Sequence, residues 1–320
     1  MRNILSRVLA SSALLLGCLP AVTVAEPYPS KPIEIIVSYQ PGGGTDSVAR
    51  AYAEAVKKHI GQSVVVVNKP GASGTIGLQD VASAKPDGYR LGLTTIEMVT
   101  LPLQGIGKFT YEDFTPIAKL NSDPSAVTVL ADSPWKTMDD FIADAKKRPN
   151  SISMGNSGTG TIWHLAAAAL EEKTQVKFNH IPFPGSVPAV LALLGGHIQA
   201  VAVSPGEVSQ YVQAGKLRML GVMTNQRVKG FENVPTLKEQ NIDLTIEAWR
   251  GISGPKNMPE DVVNKLRAAS EKAVDEPAFR AVLEKLNFGL AYADAPAFHQ
   301  EMVRDDTYYK PLLKKIAPAQ

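Results

Sequence analysis

Short β-branched runs that end in a glycine-rich turn and pass straight into an amphipathic helix recur along this chain, and that alternation restricts the fold more than any other feature. Ile33 to Ser38 reads as a strand. It enters the turn Pro41-Gly42-Gly43-Gly44-Thr45-Asp46 and then a helix from about Asp46 to Ile60. Val48, Ala49, Tyr52, Ala53 and Val56 fall on one face of that helix, and Gly61 is placed to end it. Val64 to Val67 is the next strand. A second turn through Pro70-Gly71-Ala72-Ser73-Gly74 leads into a shorter helix, and Leu91 to Thr94 is a third strand. Strand–helix–strand–helix–strand predicts a parallel sheet covered on both faces. In such sheets ligands sit at the carboxyl ends of the strands, so both glycine turns should share one edge.

A second block of the same kind begins near Ala126. Strands are expected at Val127 to Leu130, Ser151 to Met154, Lys177 to Ile181, Ile198 to Val203 and Leu217 to Val222. Thr137 is the expected N-cap of a helix to Arg148, with Asp139 and Asp140 in its first turn. Helices are expected again at about Pro259 to Val274, Pro277 to Leu286 and Pro296 to Lys315. The predicted organisation is α/β with two lobes. Residues 26–123 and 226–320 form one, 124–225 form the other, and the chain crosses near Asn121–Ser125 and Thr224–Arg227.

Residues 1–25 read as a signal peptide. Arg2 and Arg7 precede the apolar run Val8 to Leu19, which is too short to span a bilayer. Thr23 and Ala25 are the small residues at the −3 and −1 positions of a cleavage site before Glu26. Leu15-Leu16-Gly17-Cys18 partly matches a lipoprotein box, although Leu16 is bulky for one, so a lipid-anchored Cys18 is the alternative to a soluble periplasmic product. Cys18 is the sole cysteine, and a chain cut after Ala25 can form no disulfide or thiolate site. The cut also removes Arg2 and Arg7 from 33 basic residues, leaving 31 against 31 acidic ones. That balance gives no basic surface for nucleic acid.

Each glycine turn aims backbone amides, and the positive end of a helix dipole, at whatever lies beyond the strand. Besides the two turns in the first block, Gly155-Asn156-Ser157-Gly158-Thr159-Gly160 and Pro182-Phe183-Pro184-Gly185-Ser186 repeat the device in the second. Two per lobe predict a donor-lined cleft between lobes. Enzyme signatures are missing. The glycines at 155, 158 and 160 have the wrong spacing for G-x-G-x-x-G, no P-loop follows any turn, and Thr159 spoils a G-x-S-x-G elbow. The histidines at 59, 164, 180, 197 and 299 show no metal-ligand spacing, and His164 reads as a packed or capping residue. Neither metal nor cofactor is expected. Tyr39 and Trp163 flank the turns, and Trp249 reads as a packing anchor.

These residues, taken as an ordered set, resemble the substrate-binding proteins of tripartite tricarboxylate transporters, the Bug family. The set runs from Tyr28-Pro29-Ser30-Lys31-Pro32-Ile33 through Pro41-Gly42-Gly43 with Asp46 and Ala49-Arg50. It continues with Gly61-Gln62, Val67-Asn68-Lys69-Pro70-Gly71-Ala72, Ala84-Lys85-Pro86-Asp87-Gly88-Tyr89 and Asp113-Phe114. Gly195-Gly196, Gly215-Lys216-Leu217-Arg218, Val234-Pro235-Thr236, Trp249, Gly251, Pro255 and Pro259 complete it. The resemblance implies a periplasmic binding protein type II-like Venus flytrap that captures a small organic carboxylate for membrane permease subunits. It implies a carboxylate held by backbone and small polar groups at Gly42 to Asp46, at Gly71 to Gly74 and at Asn156 to Thr159. The ligand-binding candidates are therefore Tyr39, Pro41, Gly42, Gly43, Thr45, Asp46, Gly71, Ala72, Gly74, Asn156, Ser157, Gly158, Thr159, Gly185 and Ser204, with no arginine clamp. Pro182-Phe183-Pro184-Gly185 stands where the family commonly has a lysine-bearing turn, and Ser204 stands where an acid is frequent. Both departures favour a ligand less charged than citrate. A monomer is expected. The rival readings are a ligand-sensing adaptor with the same cleft and a secreted hydrolase using Ser157 or His164.

Overall fold

The computed structural model describes residues 27–316; the predicted signal segment and Cys18 lie outside them. Among the described residues, eleven strands form two mixed sheets. In the first, β1 (Ile33–Val37) pairs in parallel with both β2 (Val64–Asn68) and β3 (Arg90–Thr95). Two long antiparallel strands extend it, β4 (Phe114–Pro124) and β10 (Glu247–Pro255), and β11 (Leu290–Asp294) closes the edge. The second sheet holds β5 (Ala126–Leu130), β6 (Ser153–Asn156), β7 (Asn179–Pro182), β8 (Ala200–Val203) and β9 (Leu217–Val222), in the order β7-β6-β8-β5-β9. We call the halves around these sheets the first and second lobes.

Helix α1 (Gly44–Ile60) shows why the alternation is decisive. Its predicted apolar face is buried, and Tyr52 reaches Ser270 at 2.6 Å on α8 (Glu260–Val274). Each large side chain so buried contributes about 1.5–3 kcal/mol. Gly61 ends α1 in the left-handed region at φ 75°, where a Cβ would be strained. Helix α4 (Met138–Lys147) has the predicted cap at Thr137, closed into a reciprocal box by Asp140. The first lobe also carries α2 (Thr75–Ala82), α3 (Glu97–Leu103), α9 (Pro277–Lys285) and α10 (Ala295–Ile316). The second carries α5 (Ile162–Thr174), α6 (Ser186–Leu194) and α7 (Pro205–Gln213). None of the described helices is long and apolar enough to cross a membrane.

The lobes are joined where β4 passes into β5 and where the chain re-enters the first sheet at Glu247. Residues 226–246, expected with the first lobe, bond to both lobes: Lys229 reaches Glu284 of α9 at 2.8 Å, while several other bonds run to the second sheet. Thr236 bridges Val222, the Leu237 amide donates to the Val222 carbonyl, and Gln240 reaches the Leu220 carbonyl. Glu247 accepts from Ser122 and Thr224, fastening the crossing strands together. Gly251 in β10 is needed for close approach: a Cβ there would meet Phe298 of α10 at 2.4 Å.

Candidate functional site

Four helices begin at the ends of strands that face the gap between lobes: α1 after β1, α5 after β6, α6 after β7 and α7 after β8. A helix start leaves amides without intrahelical partners, so each start is an anion-attracting point. Together they bound a narrow cleft.

The first-lobe wall carries fixed charge. Arg250, on β10, is buried, with its guanidinium on the equally buried Asp123 and its Nε donating to Thr45 Oγ1 at 3.2 Å. Burial drives the Asp123 carboxyl upward in pKa, against the pull of Arg250 and the Gly289 amide. The expectation was of an anion held without an arginine clamp. Arg250 does line the cleft, but Asp123 and Thr45 occupy much of its donor capacity. Asp46 sits at the start of α1. Burial opposes its charge, but hydrogen bonds from Arg50, the Gly42 amide and Asn68 outweigh that and hold its pKa below the ordinary carboxylate range. Glu97, at the start of α3, reaches across the cleft and accepts the Ile162 amide of α5 at 2.9 Å.

The second-lobe wall is mostly neutral. Ser157 bonds Thr161 at 2.9 Å, and Gly185 and Ser186 open α6 with no side-chain cap. Glu207 lies in the first turn of α7, accepting from the Ser204 amide and hydroxyl and from Ser186. Two further bonds tie the lobes: Ser73 Oγ to the Thr159 carbonyl at 2.7 Å, and Gln104 to the Gly160 carbonyl at 2.8 Å. At the outer side of Trp249, its indole N–H donates to Asp305 at 2.7 Å, and burial raises the Asp305 pKa to about 6 against that bond.

Of the fifteen predicted residues, Tyr39, Gly43, Thr45, Asp46, Ser157 and Gly185 line this cleft. The others do not line it. The Gly42 amide is taken by Asp46 and follows Pro41 in the same turn. Gly71, Ala72 and Gly74 shape the second turn, where a Cβ on Gly74 would come within 3.2 Å of the Tyr39 hydroxyl. Asn156 is fully buried, accepting the Gly158 amide, and the Thr159 carbonyl serves the interlobe bond. Ser204 is fully buried as the cap of α7. Sequence reasoning missed Thr95, Glu97, Ser186, Glu207 and Arg250, all on the cleft wall. The available signal was an arginine inside the apolar run Ala248 to Ile252, since a buried arginine needs a partner. Ser157 and His164 form no nucleophile–base pair. His164 Nδ1 accepts the Gly160 amide at 3.1 Å, and burial with His180 alongside lowers its pKa to about 4.

Two α/β lobes meeting at a cleft edged by helix starts are the arrangement of a solute-binding protein such as BugD. The chain belongs to the family described as tripartite tricarboxylate transporter family receptor (TctC), whose model matches residues 48–317. A protein from the gbd 5′ region of Cupriavidus necator is 36% identical over 312 residues, covering 97% of this chain and 95% of its own. A Polaromonas TctC solute-binding protein, solved without ligand, is 54% identical, covers 90% of this chain and 99% of its own, and overlays with a TM-score of 0.70. The periplasmic binding protein BugD is 30% identical, with 90% and 98% coverage and a TM-score of 0.86. Two Rhodopseudomonas palustris proteins share the fold: MatC with malate (24% identical, covering 89% of this chain and all of its own, TM-score 0.84) and a protein with adipate (23%, 90% and 97%, 0.85).

Proposed function

We propose that this protein captures a small organic carboxylate in the interlobe cleft and presents it, lobes closed, to the membrane subunits of a tripartite transporter. The observation that carries this reading is the convergence of helix starts from both lobes on one cleft. Among the described residues, the amides of Gly44 and Thr45 at the start of α1 have no protein partner, and α6 opens opposite them, a methyl on Gly43 falling 3.7 Å from Ser186 Oγ. A carboxylate between them would accept amide hydrogen bonds from one lobe and hydroxyl or amide bonds from the other. It would bind the closed arrangement better than the open one, which is what a closure mechanism requires. Tyr39, Gly43, Thr45, Ser157, Gly185 and Ser186 are the residues we assign to contact.

Similarity in sequence and in shape run opposite ways among the relatives: 54% identity overlays at 0.70, and 30% at 0.86. That pattern supports two rigid lobes held at different angles in different members. The moving units in this reading are the first lobe, residues 26–123 with 247–320, and the second, 124–246. The protein acts as a monomer in the periplasm after cleavage behind Ala25, and mass spectrometry of the exported protein would give Glu26 as its first residue. A thermal-shift screen of carboxylates on refolded protein tests the function. A true ligand at a hundredfold its dissociation constant stabilises by about 2.7 kcal/mol; a flat response across mono-, di- and tricarboxylates sinks the proposal.

A further inference from the structure

Charge in the cleft is unevenly balanced. Asp46 is matched by Arg50, and Arg250 by Asp123. Glu97 and Glu207 remain, and both line the cleft. Glu97 accepts the Ile162 amide at the start of α5 and faces the Tyr39 phenol, and Glu207 is held by the Ser186 hydroxyl and by the hydroxyl and amide of Ser204. Among the described residues neither has an ion-pair partner within 4.0 Å, and the Arg250 guanidinium is the one cation on the cleft wall. A second observation points the same way. The hydroxyls of Tyr39 and Thr95, both on the wall beside Glu97, are buried and face one another and Glu97 without closing a hydrogen bond of 3.5 Å or less, and Thr95 is only 5% exposed. Burial and the neighbouring Glu97 push the Tyr39 phenol well above its ordinary pKa, so it stays neutral. Buried hydroxyls without partners are uncommon and mark a place where something else bonds.

Resting on the carboxylate reading above, we infer that the solute carries a single carboxylate, bound at the starts of α1 and α6, and a hydrogen-bond-donating group at its far end, an ammonium above a hydroxyl, bound by Glu97 with Tyr39 and Thr95. Glu97, without a counter-ion in a partly desolvated cleft, repels a second ligand carboxylate and attracts a cation. Glu207 lies instead at the starts of α1 and α6, where it bonds Ser186 and bears on the shared carboxylate of every ligand alike. This separates the chain from the fold-mates that hold malate and adipate, both diacids.

The test is calorimetry on refolded, ligand-free protein with matched sets that differ only at the far end. These are succinate, 3-hydroxypropionate and β-alanine; glutarate, 4-hydroxybutyrate and 4-aminobutyrate; adipate, 5-hydroxyvalerate and 5-aminovalerate. In the set that binds tightest, the amino acid should outbind the diacid at least tenfold, with the hydroxy acid between. Glu97→Gln should shrink that ratio severalfold by letting the diacid bind better, whereas Glu207→Gln, beside the carboxylate that all the ligands share, should change the affinities in parallel and leave the ratio in place. A diacid that binds wild type as tightly as its amino partner overturns this inference and leaves the carboxylate reading standing. An unchanged ratio in Glu97→Gln also overturns it. Binding of no member of any set overturns both.

Discussion

The first-lobe wall of the cleft holds a buried ion pair made over a long sequence separation, whereas the second-lobe wall is made mostly of helix starts whose polar groups bond nearer in sequence, Ser186 to Glu207 being the longest of these spans. Arg250 reaches Asp123 and Thr45 from 127 and 205 residues away. On the other side Ser157 bonds Thr161, and Ser204 bonds Glu207. Buried ion pairs cost several kilocalories per mole in desolvation and are rigid once satisfied. Neutral serines and amides cost less to expose, so the second lobe can leave the cleft and return. In the proposed closure the first wall is the anvil and the second the moving jaw, and the bonds of Glu97, Ser73 and Gln104 to the second lobe are among those that a closing lobe would make.

That contrast can be broken most severely at Arg250. Arg250→Met strands the Asp123 charge in the interior and should cost about 3–5 kcal/mol of stability, read from the denaturant midpoint. A loss under about 1 kcal/mol would mean that the first wall is no more rigid than the second. Glu97→Ala removes the charge-assisted bond to the Ile162 amide, worth about 1.5–3 kcal/mol to closure. Small-angle scattering should then show an expanded molecule at nearly unchanged unfolding temperature; an unaltered radius of gyration would put the closing force elsewhere. Ser186→Ala on the opposite wall should cost only about 0.5–1.5 kcal/mol, since it takes one hydroxyl from Glu207. The smallest effect is a pH slope. Asp46 has a folded-state pKa below its ordinary value, so its contribution is present above about pH 3.8 and fades as the pH falls through that value and below it. Wild type should be more stable than Asp46→Asn at pH 6, with the gap closing toward pH 3; a constant gap would assign the effect to packing rather than charge.

Much of the fold was legible because its signals are local. The alternation of β1, α1, β2 and α2, the Gly61 cap and the Thr137 box each lie within a few residues of one another. The turns were legible for the same reason, which is why Gly43, Thr45, Ser157 and Gly185 could be placed at the cleft. What escaped is non-local or short. Helix α3 is seven residues with Pro102 inside it, too brief for periodicity to register, and it carries Glu97. The partnership of Arg250 with Asp123 exists only after β4 and β10 pair. Residues 226–246 lack a repeating pattern, and their attachment to the second sheet depends on single bonds such as that of Leu237 to Val222.

The central claim is that one carboxylate is held between the two walls by closure of the cleft. Gly44 offers the most direct test, since a Cβ there would sit 2.9 Å from Arg250 and 3.2 Å from Glu207, inside the closed cleft. Calorimetric titration of refolded wild type and Gly44→Leu, with the carboxylate giving the largest thermal shift, should yield one site per chain in wild type. The variant should show no detectable heat while keeping the circular dichroism of the unliganded protein. Equal binding by a folded Gly44→Leu protein would contradict the account.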